Sequence, residues 1–184
     1  SKQPPTSEKA FYMGQQHAEL DALPEFNWQP AQDADLKRTP IYAEHVALGA
    51  KMVSFAGWEM PVRYSSVREE HMAVREKAGL FDVTHMGVYD ASGPSALPFL
   101  ESVCANDIST LRKGASLYTH FLDANGKVLD DLLVYRLAEE HYLIVVNASN
   151  DDRNWAWLNA VRDGAVQVEP KQPAGKAFGC DLQL

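Results

Sequence analysis

From residue 36 onward the chain alternates apolar and polar positions with regular punctuation. In SSVREEHMAVREKAGLFD, Ser66 and Glu69 have the spacing of a capping box, and Val67, His71, Val74 and Ala78 recur on one helical face. Gly79 suits the position just past the last turn, so the pattern predicts a helix over about 66–78 with His71 on its inward face. DVTHMGVYDA reads as a strand over about 82–91. Gly93, Pro94 and Ser95 open a second helix that runs through about Ala105, with Pro98 tolerated in its first turn. Three strand-like runs follow, at about 116–122, 128–137 and 141–148, separated by the turn-rich DANGK and the short AEE. These form an antiparallel meander. Asn150, Asp151 and Asp152 then place a cap and negative charge at the start of a helix with Trp155, Leu158 and Val161 inward. It ends at Gly164, before a short strand, VQVEP.

The order from 82 onward, β-α-β-β-β-α-β, predicts an α+β fold: an antiparallel or mixed sheet with split βαβ, ferredoxin-like elements and packed helices. Residues 1–35 hold four of the ten prolines and no sustained apolar period, so they read as a partly irregular extension. The domain proper is expected over 36–170, with a divergent or truncated tail at 171–184.

One segment breaks the pattern. VLDDLLVYRL sets two adjacent carboxylates inside an otherwise apolar strand, and alternation sends them to opposite faces. Asp130 lies with Leu132, Val134 and Arg136; Asp131 lies with Leu129, Leu133, Tyr135 and Leu137, the more apolar set. A tight hairpin with Leu137 opposite His141 places Asp131 across from Asn147, about 5 Å apart at Cβ. An unpaired buried carboxylate costs several kcal/mol, so Asp131 must meet either a satisfied hydrogen-bond network or a polar ligand in a cleft. His85 and Met86 stand beside Gly87, as a core pair or as a place where a ligand approaches the backbone. In AGWEMP, Trp58, Glu59 and Met60 precede a proline that imposes extended backbone, in a packed loop or flanking a flat heterocycle.

Composition narrows the classes. Seventeen Lys and Arg against 25 Asp and Glu give a net charge of −8, a poor match to nucleic acid or an anionic membrane. No apolar run reaches the length of a membrane span, and the first residues lack a signal-peptide core, which points to a soluble protein in the cytoplasm or an organelle matrix. Cys104 and Cys180 are far apart without CxxC spacing, and the six histidines form no ligand pair, so neither a disulfide scaffold nor a metal site is expected. Hydrolase triads, Walker loops and dinucleotide fingerprints are missing.

Together, RTPIYAEHVALGAKMVSFAGWEMPVRY, EEHMAVREKAGLFDVTHMG, YTHFLDANGKVLDDLLVYRL and YLIVVNASN resemble the amino-terminal half of the glycine cleavage system T-protein, the tetrahydrofolate-dependent aminomethyltransferase. The resemblance runs from about Leu36 to Val161. It implies transfer of a methylene from an aminomethyl group on the lipoyl arm of an H-protein carrier to tetrahydrofolate, with release of ammonia. It further implies that Asp131 is the acidic residue facing the folate nitrogens, and that Met86, Tyr118, Tyr135 and Asn147 line the folate cavity. The family is roughly twice as long, so the chain alone is expected to be inactive and to bind tetrahydrofolate weakly or not at all. Folate-dependent demethylases, the folate modules of sarcosine or dimethylglycine dehydrogenases, and a non-catalytic folate-binding factor are the alternatives on the same scaffold. An acidic chain repels an acidic carrier unless basic groups cluster, and Lys37 with Arg38, Arg63 with Arg68, and Arg112 with Lys113 are the candidate patches.

Overall fold

The computed structural model describes residues 26–30, 35–168 and 180–183. The extension expected at 1–35 and the tail expected at 171–184 lie mostly outside the described residues. Where they are described, two sheets carry the fold.

The smaller sheet comes from the segment just after residue 36. Strand β1 (Lys37–Arg38) pairs parallel to β3 (Trp58–Arg63), which pairs antiparallel with β2 (Lys51–Phe55). Phe55 faces Trp58 across a two-residue loop, Ala56 and Gly57, both at positive φ, the conformation that matches the twist of a tight hairpin. AGWEMP is therefore a turn and a strand, with Met60 buried. Helix α1 (Tyr42–Ala47) lies between β1 and β2 in the chain and buries His45. Helix α2 (Val67–Glu76) begins at the expected capping box: Ser66 Oγ accepts from the Glu69 N–H at 3.2 Å and donates to Glu69 Oε2 at 2.9 Å. Its expected inward face is not buried, and His71 is exposed rather than in a core.

The larger sheet is wholly antiparallel, in the order β5-β6-β7-β4-β8. Its strands are β4 (Gly87–Ser92), β5 (Ser116–Leu122), β6 (Val128–Ala138), β7 (His141–Val146) and β8 (Asp181–Gln183). Helix α3 (Ala96–Val103) joins β4 to β5 across two intervening strands, and α4 (Asp151–Arg162) follows β7. The α+β class and the meander hold.

Three element boundaries depart from expectation for local reasons. Residues 82–86 do not extend β4, because Asp82 Oδ1 takes the Thr84 N–H at 2.9 Å and the Thr84 hydroxyl at 2.7 Å and closes a turn. The described part of VQVEP is irregular, and the strand beside β4 is β8 instead. On α4 the inward face is Asn154, Trp157, Leu158 and Val161, while Trp155 is half-buried with its ring 5.2 Å from Tyr89.

One face of the larger sheet forms the core. Tyr89, Phe121, Val134, Tyr142, Ile144 and Val146 point inward against Phe99, Leu100 and Val103 of α3 and Trp157, Leu158 and Val161 of α4. Each such side chain contributes about 1.5–3 kcal/mol on burial. Gly87 lets the sheet meet α4 closely: a Cβ there would fall 2.2 Å from Asp151 Oδ1 and 2.7 Å from a Val146 methyl. Among the described residues no helix covers the sheet's other face. There Tyr118, Val88 and Leu137 are exposed, and Leu133, Tyr135, Leu143 and Val145 half-buried. No helix among the described residues is long and apolar enough to cross a membrane.

Candidate functional site

Two cross-strand rows at one end of the open face build the site. Tyr118 faces Leu133, Leu133 faces Val145, and Val145 faces Val88, giving an apolar row across β5, β6, β7 and β4. In the next row His120 faces Asp131; the same registers, continued one step past β7 and β4, bring Asn147 and Met86 alongside. The expected register holds through this region, since Leu132 pairs with Val146 and Leu133 with Val145. A bulge near Leu137 shifts only the hairpin end, where Ala138 rather than Leu137 meets His141.

Alternation divides the two carboxylates, with the opposite burial from that suggested by composition. The apolar companions of Asp131 form the open face, and Asp131 is exposed. Asp130 is the buried carboxylate, 4% exposed. It accepts from the carboxamides of Asn147 at 3.0 Å, Asn150 at 2.7 Å and Asn154 at 2.6 Å. Asn150 and Asn154 thereby tie the first turn of α4 to β6, and Asn150 makes no side-chain cap on α4. A carboxylate stripped of water is stable only with this many donors.

Asp131 is held in turn. The Tyr118 hydroxyl donates to Asp131 Oδ2 at 2.8 Å, and the Asn147 carboxamide donates to Oδ1 at 3.1 Å and to the Asp131 carbonyl at 2.9 Å. Asn147 thus links the buried carboxylate to the exposed one. The bond to Asp131, then burial and the charge of that carboxylate, push the Tyr118 hydroxyl above its ordinary range, so it stays a donor. The result is a fixed negative charge beside an apolar row, suited to a flat ring bearing N–H donors or developing positive charge.

The other sequence candidates scatter. Asp131, Asn147, Tyr118 and Met86 come together. Tyr135 shares their face but lies two rows away, about 13 Å along the strand. His85 packs edge-on against Phe55 at 5.7 Å, and its Nδ1 is buried without a hydrogen-bond partner among the described residues. Glu59 is paired with Arg38 at 2.5 Å and lines an open groove with Asp35 and Leu36 on the smaller sheet. Of the basic pairs, Lys37 reaches Asp152 at 3.8 Å and Arg63 donates to the Ser65 carbonyl at 2.7 Å. No group of three potential metal ligands occurs among the described residues.

Sequence reading passed over two polar clusters. His120, in the same row as Asp131, was recoverable from the β5–β6 hairpin register, which Asp123 fixes by accepting the Asn125 and Lys127 N–H groups. The second joins the smaller sheet to the segment before β4. The buried His45 presents Nε2 to Asp82 Oδ2 at 2.8 Å, and its Nδ1 lies 2.7 Å from the Tyr64 hydroxyl. Burial pushes the Asp82 carboxyl up, but the bonds from His45 and Thr84 outweigh it and hold the group well below the usual carboxylate range.

Comparison with known proteins places this α+β domain in a family. The profile of the GCVT N-terminal domain matches residues 41–178. The aminomethyltransferase of Symbiobacterium thermophilum is 54% identical over 130 residues, covering 71% of this chain and 35% of that protein. That of Geobacillus thermodenitrificans is 49% identical over 134 residues, 73% and 37% respectively. Among solved structures, the glycine cleavage system aminomethyltransferase T from Bartonella henselae superposes with a TM-score of 0.71 at 36% identity, covering 80% of this chain and 38% of that one. The chain belongs to the GCVT N-terminal domain family. It spans little more than a third of the length of these relatives.

Proposed function

We propose that this chain carries the reacting-end half of a tetrahydrofolate-dependent aminomethyltransferase site, in which a methylene passes from an aminomethyl-lipoyl carrier to tetrahydrofolate and ammonia is released. The observation that carries the reading is the ionisable Asp131, held by Tyr118 and Asn147 at the edge of the apolar row. The residues fit the acceptor: Tyr118, Leu133, Val145 and Val88 offer a flat apolar floor, and Asp131 accepts an N–H bond at its margin. When bound, tetrahydrofolate supplies the two nitrogens that receive the methylene.

The remaining work falls to the chain's own side chains. Asp131, as a fixed carboxylate, favours positive charge growing beside it without itself forming a covalent bond. Tyr118 and Asn147 hold both of its oxygens, so no reorganisation is needed as that charge develops. Asp130 holds Asn147 from beneath the sheet. Met86 stands one step past β4, in the row with Asn147. A lipoylated carrier acts as donor in this reading, in a cytoplasm or organelle matrix where both substrates meet.

A transfer assay tests the reading. Full-length protein carrying residues 1–184 is expected to release ammonia from an aminomethylated lipoyl carrier only when tetrahydrofolate is present. Release of formaldehyde equivalents from N-methylated amines instead would make it a demethylase, and folate binding without either turnover would make it a binding factor.

A further inference from the structure

We propose that His120 is the proton carrier of the transfer assigned to this face: it takes a proton from the attacking nitrogen of the acceptor and delivers it to the departing amine. This rests on the reading above and adds a residue to it.

Geometry singles out His120. Its side chain stands directly across from Asp131 in the β5–β6 ladder, with Cβ atoms about 5 Å apart. Its ring meets Tyr118 edge to face at 5.6 Å and 72°. Neither ring nitrogen has a hydrogen-bond partner among the described residues. The alternatives on the face are committed. Asp131 already accepts from Tyr118 and Asn147, Asn147 does not titrate, and the Tyr118 hydroxyl is bonded to Asp131. His141, the other imidazole of the face, is paired with Asp90 at the opposite end of the sheet.

The groups around His120 are few. Across the ladder it meets Asp131, flanked diagonally by Leu129 and Leu133; along its own strand it meets Tyr118 and Leu122. At the outer edge of β5 the neighbours are the Ala105 N–H, donating to the His120 carbonyl at 2.9 Å, and the Asn106 N–H, donating to Thr119. Asp131 is thus the one charged group facing it among the described residues. An imidazole beside a carboxylate can be taken through its charged form and returned.

The proton count closes. The transfer forms two C–N bonds to the acceptor and breaks one C–S and one C–N bond, and the methylene carbon keeps its oxidation level. Two N–H protons leave the acceptor; one ends on the carrier thiol and one completes the ammonia. His120 ends the cycle in the state in which it began.

The test uses full-length protein carrying residues 1–184 as wild type, His120→Gln, His120→Ala and Asp131→Asn. His120→Gln is expected to lower the rate constant of ammonia release about 100-fold with the tetrahydrofolate dissociation constant unchanged, and to flatten the acid side of the pH profile. Added imidazole is expected to restore His120→Ala. In isotopically labelled protein, tetrahydrofolate should shift the ring resonances of His120 and leave those of His141 in place. Wild-type turnover by His120→Gln at every pH, with Asp131→Asn impaired, overturns the role of His120 while sparing the proposed function. A wild type that transfers nothing overturns both.

Discussion

Asp130 and Asp131 are adjacent in β6 and face opposite sides of the sheet: Asp130 lies beneath it among the carboxamides of Asn147, Asn150 and Asn154, and Asp131 stands on the open face. Asn147 touches both, so the anchoring of α4 and the placement of the exposed carboxylate share one side chain.

Replacing the two carboxylates should therefore have unlike effects on stability. Asp130→Ala removes the acceptor of one buried and two half-buried amide donors, an unmet buried donor costing about 1–3 kcal/mol, and is expected to lose roughly 3 kcal/mol in urea unfolding. Asp131→Ala, exposed, should lose less than about 1 kcal/mol. Equal losses would contradict the division of roles.

Tyr118 holds Asp131 through a single hydroxyl. Tyr118→Phe keeps the ring against His120 and the apolar row but removes that bond, worth about 1–1.5 kcal/mol. The rate constant of ammonia release should fall about tenfold, with tetrahydrofolate affinity nearly unchanged. A loss confined to affinity would instead make Tyr118 a contact for the bound ring alone.

The Asp82–His45 contact sets an acid limit. The Asp82 carboxyl is held below its unfolded range, so its stabilisation is present above about pH 4 and is lost as pH falls through the folded value. Asp82→Asn leaves the buried His45 without its charged acceptor and should cost about 3 kcal/mol at pH 7. The difference between wild type and variant should shrink in urea unfolding as pH drops below about 4. A constant difference across pH 2–7 would contradict the pairing.

Both thiols should be sluggish. Burial and a nearby Glu101 push Cys104 far up, and burial above all pushes Cys180 up to about 11. At pH 8 in the native state a thiol-exchange reagent is expected to label both at least 10-fold slower than in urea, because the thiolate is the nucleophile. Prompt native labelling of Cys104 would mean that its pocket opens.

How much of this was legible in the sequence depends on how local the cause was. The α2 capping box and the Asp131–Asn147 register were readable because a few neighbouring residues determine each. The burial of Asp130 was not, since Leu129, Leu133, Tyr135 and Leu137 make the other face the more apolar, and only the seating of α3 and α4 decides which face is core. His71 misled for the same reason: α2 has an amphipathic pattern, yet none of its residues is buried. The strand expected to start at Asp82 failed because one oxygen of that carboxylate closes a turn onto Thr84, while the other is claimed by His45, 37 positions earlier in the chain.

The most direct test of the central claim is Asp131→Asn, which preserves shape and removes the charge. With ammonia release from an aminomethylated lipoyl carrier and tetrahydrofolate binding measured side by side, the rate constant should fall by a factor of about 100 to 1,000 while the dissociation constant changes less than about threefold. An unchanged rate constant would contradict the assignment of Asp131 to the reacting end of the site.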